Sequence, residues 1–105
     1  MRFLVVERVR PLVTSSDKSE FANHAANDLK YKLNLERRKK IVAGGPFLDI
    51  LADAYILETE TLEELGEILF NAPSNLDVDR EVHPLGTFAD SLEGMNELKK
   101  GGRPA

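Results

Sequence analysis

Ala52-Asp53-Ala54-Tyr55-Ile56-Leu57, the start of a stretch that runs on to Leu85, reads as strand, helix, strand and decides the fold. The opening run is short and mostly apolar, with branched and aromatic members, which suits a strand better than a solvated loop. Thr61 stands three residues before Glu64, a spacing at which the hydroxyl accepts from the Glu64 amide while the carboxylate reaches back to the Thr61 amide. A helix therefore begins there. Leu62, Leu65, Ile68, Leu69 and Ala72 recur on one face, and Glu60, Glu63, Glu64 and Glu67 crowd the first turns, where negative charge is favourable. Pro73 stops it, with Asn71 as the expected cap. Leu76 to His83 then alternates apolar and charged residues with period two, a half-buried strand in which Arg80 interrupts the apolar phase.

Working outward, Arg2 to Val9 carries apolar residues on both phases before charge appears, so this strand is covered on both faces for most of its length. Pro11 closes it and Thr14-Ser15-Ser16 makes a polar connection. Asp17 and Glu20 repeat the capping spacing, predicting a long helix from Lys18 to about Arg38 with Phe21, Ala22, Ala25, Ala26, Leu29, Leu33 and Glu36 on its inner side. The basic run Arg37-Arg38-Lys39-Lys40 offsets the partial negative charge at that helix end. Ile41-Val42-Ala43-Gly44 reads as a strand, interrupted at Gly45-Pro46. A weak helical pattern recurs from Asp90 to Lys100, ahead of a loose tail from Gly101 to Ala105.

The order is strand, helix, strand, strand, helix, strand: an α+β, ferredoxin-like βαββαβ unit with a four-stranded antiparallel sheet and two helices on one face. We place this domain at residues 1–88 and a C-terminal helical segment with its tail at 89–105. The second face of the sheet receives either Phe3, Val5 and Val9 or Leu4 and Val6, with Tyr55 and Leu57 or Ala54 and Ile56 beside them. Apolar whichever set it holds, it needs a partner, and two sheets packed face to face predict at least a symmetric homodimer.

The bounds are plain. A chain of 105 residues argues for one domain with a single core. A formal charge of -4 weighs against nucleic acid as a partner, since phosphate binding needs a concentrated basic surface. The sequence has no cysteine, which excludes disulfides, thiolate nucleophiles and thiolate metal sites. No apolar stretch approaches the roughly 20 residues that span a bilayer, and no signal-peptide pattern opens the chain, so the expected setting is cytoplasmic, with no membrane partner.

Glu20, His24 and Asp28 stand at i, i+4 and i+8 along the first helix and form the main catalytic candidate. Histidine exchanges protons readily near neutral pH, and a carboxylate beside it fixes its tautomer. The competing reading is a solvated flank with ordinary side-chain pairs. Arg80, in an otherwise apolar layer, needs a carboxylate such as Asp53 or Glu7, or an anionic ligand. Its fork suits a substrate carboxylate, with Tyr55 and Asp53 completing the candidate binding set; a structural ion pair across the dimer interface is the alternative. His83 falls on the wet phase of its strand. Two histidines without short metal-ligand spacing predict no metal site, and Gly44-Gly45-Pro46 lacks the helix that must follow a phosphate loop. Ser15 and Ser16 have no visible base partner.

Ile41-Val42-Ala43-Gly44, the Tyr55-Ile56-Leu57-Glu58 strand, the Thr61-Leu62-Glu63-Glu64-Leu65 helix start and the ending Asp77 to Leu85 together resemble the dimeric α/β-barrel superfamily, over about residues 1 to 88. The muconolactone isomerase family is the nearest by this pattern, and the YCII-like group is second. The resemblance implies a barrel closed by two subunits, a small ligand cavity between sheet and helices, and a C-terminal segment that reaches onto a neighbour. It also implies cofactor-free proton movement on an unsaturated lactone, with the acidic pair of the first helix falling near Phe21 to His24, where His24 and the flanking Glu20 stand. Gly45 occupies the place of that family's histidine after the second strand's Ala-Gly. Two functions stay open: a cofactor-independent isomerase acting on a small anionic carbonyl compound or lactone, and a non-catalytic homo-oligomeric structural or interaction module. An open cavity reached by Glu20, His24, Tyr55 and Arg80 separates them.

Overall fold

The computed structural model describes residues 1–11 and 17–101. The polar connection at Thr14-Ser15-Ser16 and the tail beyond Gly101 lie outside them. The elements are β1 (Arg2–Val9), α1 (Lys18–Arg37), β2 (Ile41–Pro46), β3 (Ala52–Glu58), α2 (Leu62–Asn71), β4 (Val78–Leu85) and α3 (Phe88–Lys99). The strands form one sheet in the order β2-β3-β1-β4, and every pairing is antiparallel. This is the ferredoxin-like arrangement. Among the described residues, no helix is long and apolar enough to cross a membrane.

Both helix starts follow from local chemistry. Asp17 caps α1 by accepting from the amides of Ser19 and Glu20, and Thr61 caps α2 by accepting from the amide of Glu64. The Glu64 carboxylate reaches back one residue further than the capping spacing predicts, to the Glu60 amide, which holds its pKa low with help from Lys40. At the other end of α2, Ala72 rather than Asn71 is the cap, because Asn71 still has helical geometry.

Strand alternation sorts the sheet's two faces. Phe3, Val5, Tyr55 and Leu57 turn towards the helices and pack with Leu35 of α1 and Ile68 of α2. Val5 and Leu57 are fully buried, and burial of one such side chain contributes about 1.5–3 kcal/mol. Leu4, Val6, Ala54 and Ile56 take the opposite phase, where Leu4 pairs with Ile56 and Val6 with Ala54 across β1 and β3. These four are partly exposed, so the outer face has an apolar centre without a cover in the single chain.

Three expectations need correction. β2 continues through Gly45 and Pro46 rather than stopping at Gly44, because a register shift between Ile41 and Ala43 and a positive φ of 107° at Gly44 carry the strand past the glycines. A Cβ at Gly44 would stand 2.2 Å from the Ala54 carbonyl oxygen, so only glycine fits there. The inner side of α1 is rotated from the predicted stripe: Leu29 and Leu33 are 51% and 44% exposed, whereas Asp28 and Leu35 are buried. Charge pairing with the sheet draws Asp28 inward, a signal that hydrophobic periodicity does not carry. α3 begins at Phe88, earlier than the pattern suggested, because Thr87 caps it through the Asp90 amide. Its apolar residues Phe88, Leu92, Met95 and Leu98 are all exposed, and it has no buried residue.

Candidate functional site

α1 presents His24, Asp28 and Lys32 at successive i+4 steps along the flank that faces the sheet. Opposite them, three strands bring charged side chains into register: Glu7 of β1 pairs with Asp53 of β3 on one side and with Arg80 of β4 on the other. The Lys32 ammonium then lies 2.6 Å from Glu7 Oε1, 2.7 Å from Asp28 Oδ2 and 2.6 Å from Asp53 Oδ2. Glu7 Oε2 accepts from Arg80 Nε at 2.5 Å and from the Tyr55 hydroxyl at 3.3 Å. Arg80 Nη1 donates to Asn75 Oδ1 at 2.8 Å, and the Ser74 amide donates to Asp28 Oδ1 at 3.3 Å. Three carboxylates against one ammonium and one guanidinium leave the buried network with a net negative charge of one.

That imbalance shows in the ionisation. Burial by itself would lower the Lys32 pKa, but the Glu7, Asp28 and Asp53 carboxylates outweigh it and hold the ammonium above the ordinary lysine value. Lys32 is thus a fixed cation with its three N–H donors committed, and is no amine nucleophile. Burial raises the Asp53 pKa, the Glu7 and Asp28 charges add to the rise, and Lys32 opposes it. Burial likewise pushes the Tyr55 hydroxyl up, reinforced by Glu7 and Asp53, so Tyr55 stays a neutral donor. Glu7, Asp28 and Asp53 bring carboxylate oxygens within 4.8 Å of one another, a metal-like spacing. Lys32 already occupies their point of convergence, and a cation would have to displace it.

A cavity of about 190 Å³ opens between α1, the sheet and the β2–β3 connection. Its apolar wall includes Phe21, Phe47, Ile50 and Leu51, and its polar wall includes His24, Asp28, Lys32, Asp53, Ser74 and Asp77. His24 Nε2 contacts the Asp77 carboxylate, while the ring is 47% exposed at this wall. A second cavity, of about 300 Å³, lies beside Gly44, Gly45 and Tyr55 and shares Leu29, Lys32, Pro46 and Asp53 with the first. Asp53 Oδ1 and Ser74 Oγ are buried without a hydrogen-bond partner among the described residues.

Of the residues singled out in the sequence, His24, Asp28 and Asp53 line the first cavity, and Tyr55 and Asp53 line the second. Glu20 is exposed and Arg80 is internal, and neither lines either cavity. Arg80 instead pairs with Glu7 inside the same chain, which is one of the two carboxylates expected for it. His83 faces Glu81 on the outer phase. Sequence reasoning missed Lys32, Asp77 and Ser74. Carrying the i+4 series one step past Asp28 would have reached Lys32, and Glu7 breaks the apolar phase of β1 as Arg80 breaks that of β4. The alternation from Leu76 places Asp77 on the wet phase of a strand, but β4 begins at Val78, so Asp77 and Ser74 both sit in the turn before it.

No protein-family model matches the chain, and no curated protein does so. Among solved structures it is similar to 5-chloro-2-hydroxyhydroquinone dehydrochlorinase (TftG) from Burkholderia phenoliruptrix AC1100, in complex with 2,5-dihydroxybenzoquinone. The likeness has 26% identity and a TM-score of 0.62, and covers 86% of this chain and 98% of that one. With the strand order described above, the chain has the α+β ferredoxin-like fold of the dimeric α/β-barrel proteins.

Proposed function

We propose that this protein binds a small ring carbonyl compound or lactone in the cavity beneath α1 and moves a proton on it without a cofactor, as an isomerase of the muconolactone isomerase type would. The observation that carries the reading is the cavity itself, of about 190 Å³, apolar on one wall and bearing the His24–Asp77 pair on the other. A dry cavity of about 150 Å³ accepts benzene, so the space suits a single substituted ring. The similarity to a protein named for its action on a chlorinated hydroxyhydroquinone supports a ligand of this size. With Nε2 engaged by Asp77, the His24 Nδ1 is the ring nitrogen left for the substrate, and Asp77 fixes the tautomer. Asp28 and Asp53 border the same space through Lys32.

The working unit in this proposal is a homodimer of the 1–88 domain in a reducing, cytoplasmic setting. The outer face built on Leu4, Val6, Ala54 and Ile56 supports a second copy there, and the uncovered apolar side of α3 supports a role for residues 89–105 in assembly. A purely structural module with a solid barrel is disfavoured by the open cavity.

The test uses α-angelica lactone, whose β,γ double bond moves into conjugation when a proton leaves the α-carbon and one is returned at the γ-carbon. Isomerisation followed by ultraviolet absorbance is expected to exceed the buffer rate and to fall about 10²–10⁴-fold in His24→Ala. In parallel, NMR should show the His24 ring, but not the His83 ring, responding to the lactone. A wild-type rate equal to buffer together with an unresponsive His24 ring would end this reading.

A further inference from the structure

Helix α1 passes two cavities in succession. The first, of about 190 Å³, is walled by α1 residues between Phe21 and Lys32 and includes His24; the second, of about 300 Å³, is walled by α1 residues between Leu29 and Glu36 and includes no histidine. Leu29, Lys32, Pro46 and Asp53 border both, so the two spaces are neighbours with a common wall. Lys32 and Asp53 form the inner part of that wall as a partly buried ion pair, whereas Leu29 and Pro46 are exposed and apolar. Ile50 and Leu51 on the first cavity and Leu33 on the second are exposed apolar side chains as well. Large apolar side chains gathered around openings mark a surface that an apolar group covers. A rise of about 1.5 Å per residue puts Leu33 about 13 Å along α1 from His24, which is further than a single ring reaches.

We infer that the substrate is a ring carrying an apolar tail: with the first cavity holding the reacting ring, a placement that rests on the function proposed above, the tail crosses the edge made by Leu29 and Pro46 and lies in the second cavity. Leu33, Ile41 and the Tyr55 ring line that space. A charged tail suits it poorly. The ammonium of Lys32 is already held by three carboxylates, so an anionic end would meet Glu36 and Asp53 without a cation to offset them. Glu36, the carboxylate there that does not touch Lys32, is exposed, and a cationic end would gain little from it. The tail also accounts for Leu29 and Leu33, which lie on the stripe expected to pack inward and instead border ligand space. Leu29, shared by both cavities, is then the residue that sets how long a substrate is accepted.

Two saturated lactones test the binding without any reaction: γ-valerolactone, with a methyl group on the ring, and γ-decalactone, with a hexyl chain at the same carbon. In NMR titrations both are expected to shift the His24 ring, and only γ-decalactone to shift the amides of Gly44 and Gly45, which line the second cavity and not the first. Each buried methylene strengthens binding about fourfold, so the longer chain, less the cost of ordering it, should make γ-decalactone at least about tenfold tighter. Leu33→Asp sets a charge in the path of the tail, at a position 44% exposed that does not line the first cavity, and should pull that ratio towards one. A wild-type ratio below about tenfold, glycine amides that ignore the hexyl chain, or an undiminished ratio in folded Leu33→Asp overturns the inference. If Leu33→Asp does not fold, the wild-type ratio and the glycine shifts decide. If neither lactone shifts the His24 ring, the reading of the first cavity has failed and the tail falls with it. Binding of both lactones without isomerisation of α-angelica lactone removes the catalysis and leaves the tail standing.

Discussion

Lys32→Met removes the one side chain that holds three carboxylates together while keeping most of its apolar volume. Lys32 and Asp28 side chains are 11% exposed and that of Glu7 is 2% exposed, so water cannot replace the ammonium. Glu7 retains Arg80, whereas Asp28 and Asp53 lose their cationic partner. Breaking a buried pair from one side costs about 3–5 kcal/mol. The relief available is protonation of one carboxyl, which for an unfolded pKa near 3.9 costs about 5 kcal/mol at pH 7.5 and about 1.5 kcal/mol at pH 5. A carboxyl whose folded pKa is raised adds stability as the pH falls towards its unfolded value, so the deficit shrinks in acid. Urea melts should therefore show a loss of about 3–5 kcal/mol against wild type at pH 7.5, falling to about 1–2 kcal/mol at pH 5. That loss rivals the whole stability of a small domain, about 5–15 kcal/mol. A deficit below about 1 kcal/mol at pH 7.5, or one that does not change with pH, would falsify the reasoning.

Two further outcomes are expected. Gly44→Ala forces a Cβ into the Ala54 carbonyl at a positive φ and should cost at least about 1–3 kcal/mol in the same melts, whereas Gly45→Ala, with open space around it, should cost less. For the proposed homodimer, Ile56→Arg in the apolar centre of the outer sheet face should leave the fold intact and convert a sedimenting dimer to monomer; a wild type that sediments as monomer, or a variant of unchanged mass, would rule out assembly through that face.

The fold was legible because its signals are local. Asp17 and Thr61 supply helix caps, Pro73 ends a helix, and the alternation of β4 exposes its two faces. Which face of β1 and β3 met the helices was not, since both phases are apolar until Glu7. At the candidate site, His24, Asp28, Tyr55 and Asp53 were marked by type and spacing, and Glu7 was one of two carboxylates named for Arg80. The centre of the network was not: Lys32 shares the flank of Phe21, Ala25 and Asp28, but a lysine there reads as a break in the stripe until the convergence of β1, β3 and α1 supplies its three carboxylates. Asp77, in the turn before β4, meets His24 of α1 from far along the chain, a contact with no sequence period.

The sheet's margins carry a last consequence. β2, at one edge, contains a register shift, a left-handed glycine and a proline, and β4, at the other, carries Asp79, Glu81 and His83 ahead of Pro84. A strand from another molecule finds no regular ladder of amides on the β2 side, and on the β4 side it meets charged side chains and a proline. Growth of the sheet into fibres is thereby discouraged at both edges, which leaves the broad faces as the surfaces on which a second copy would dock.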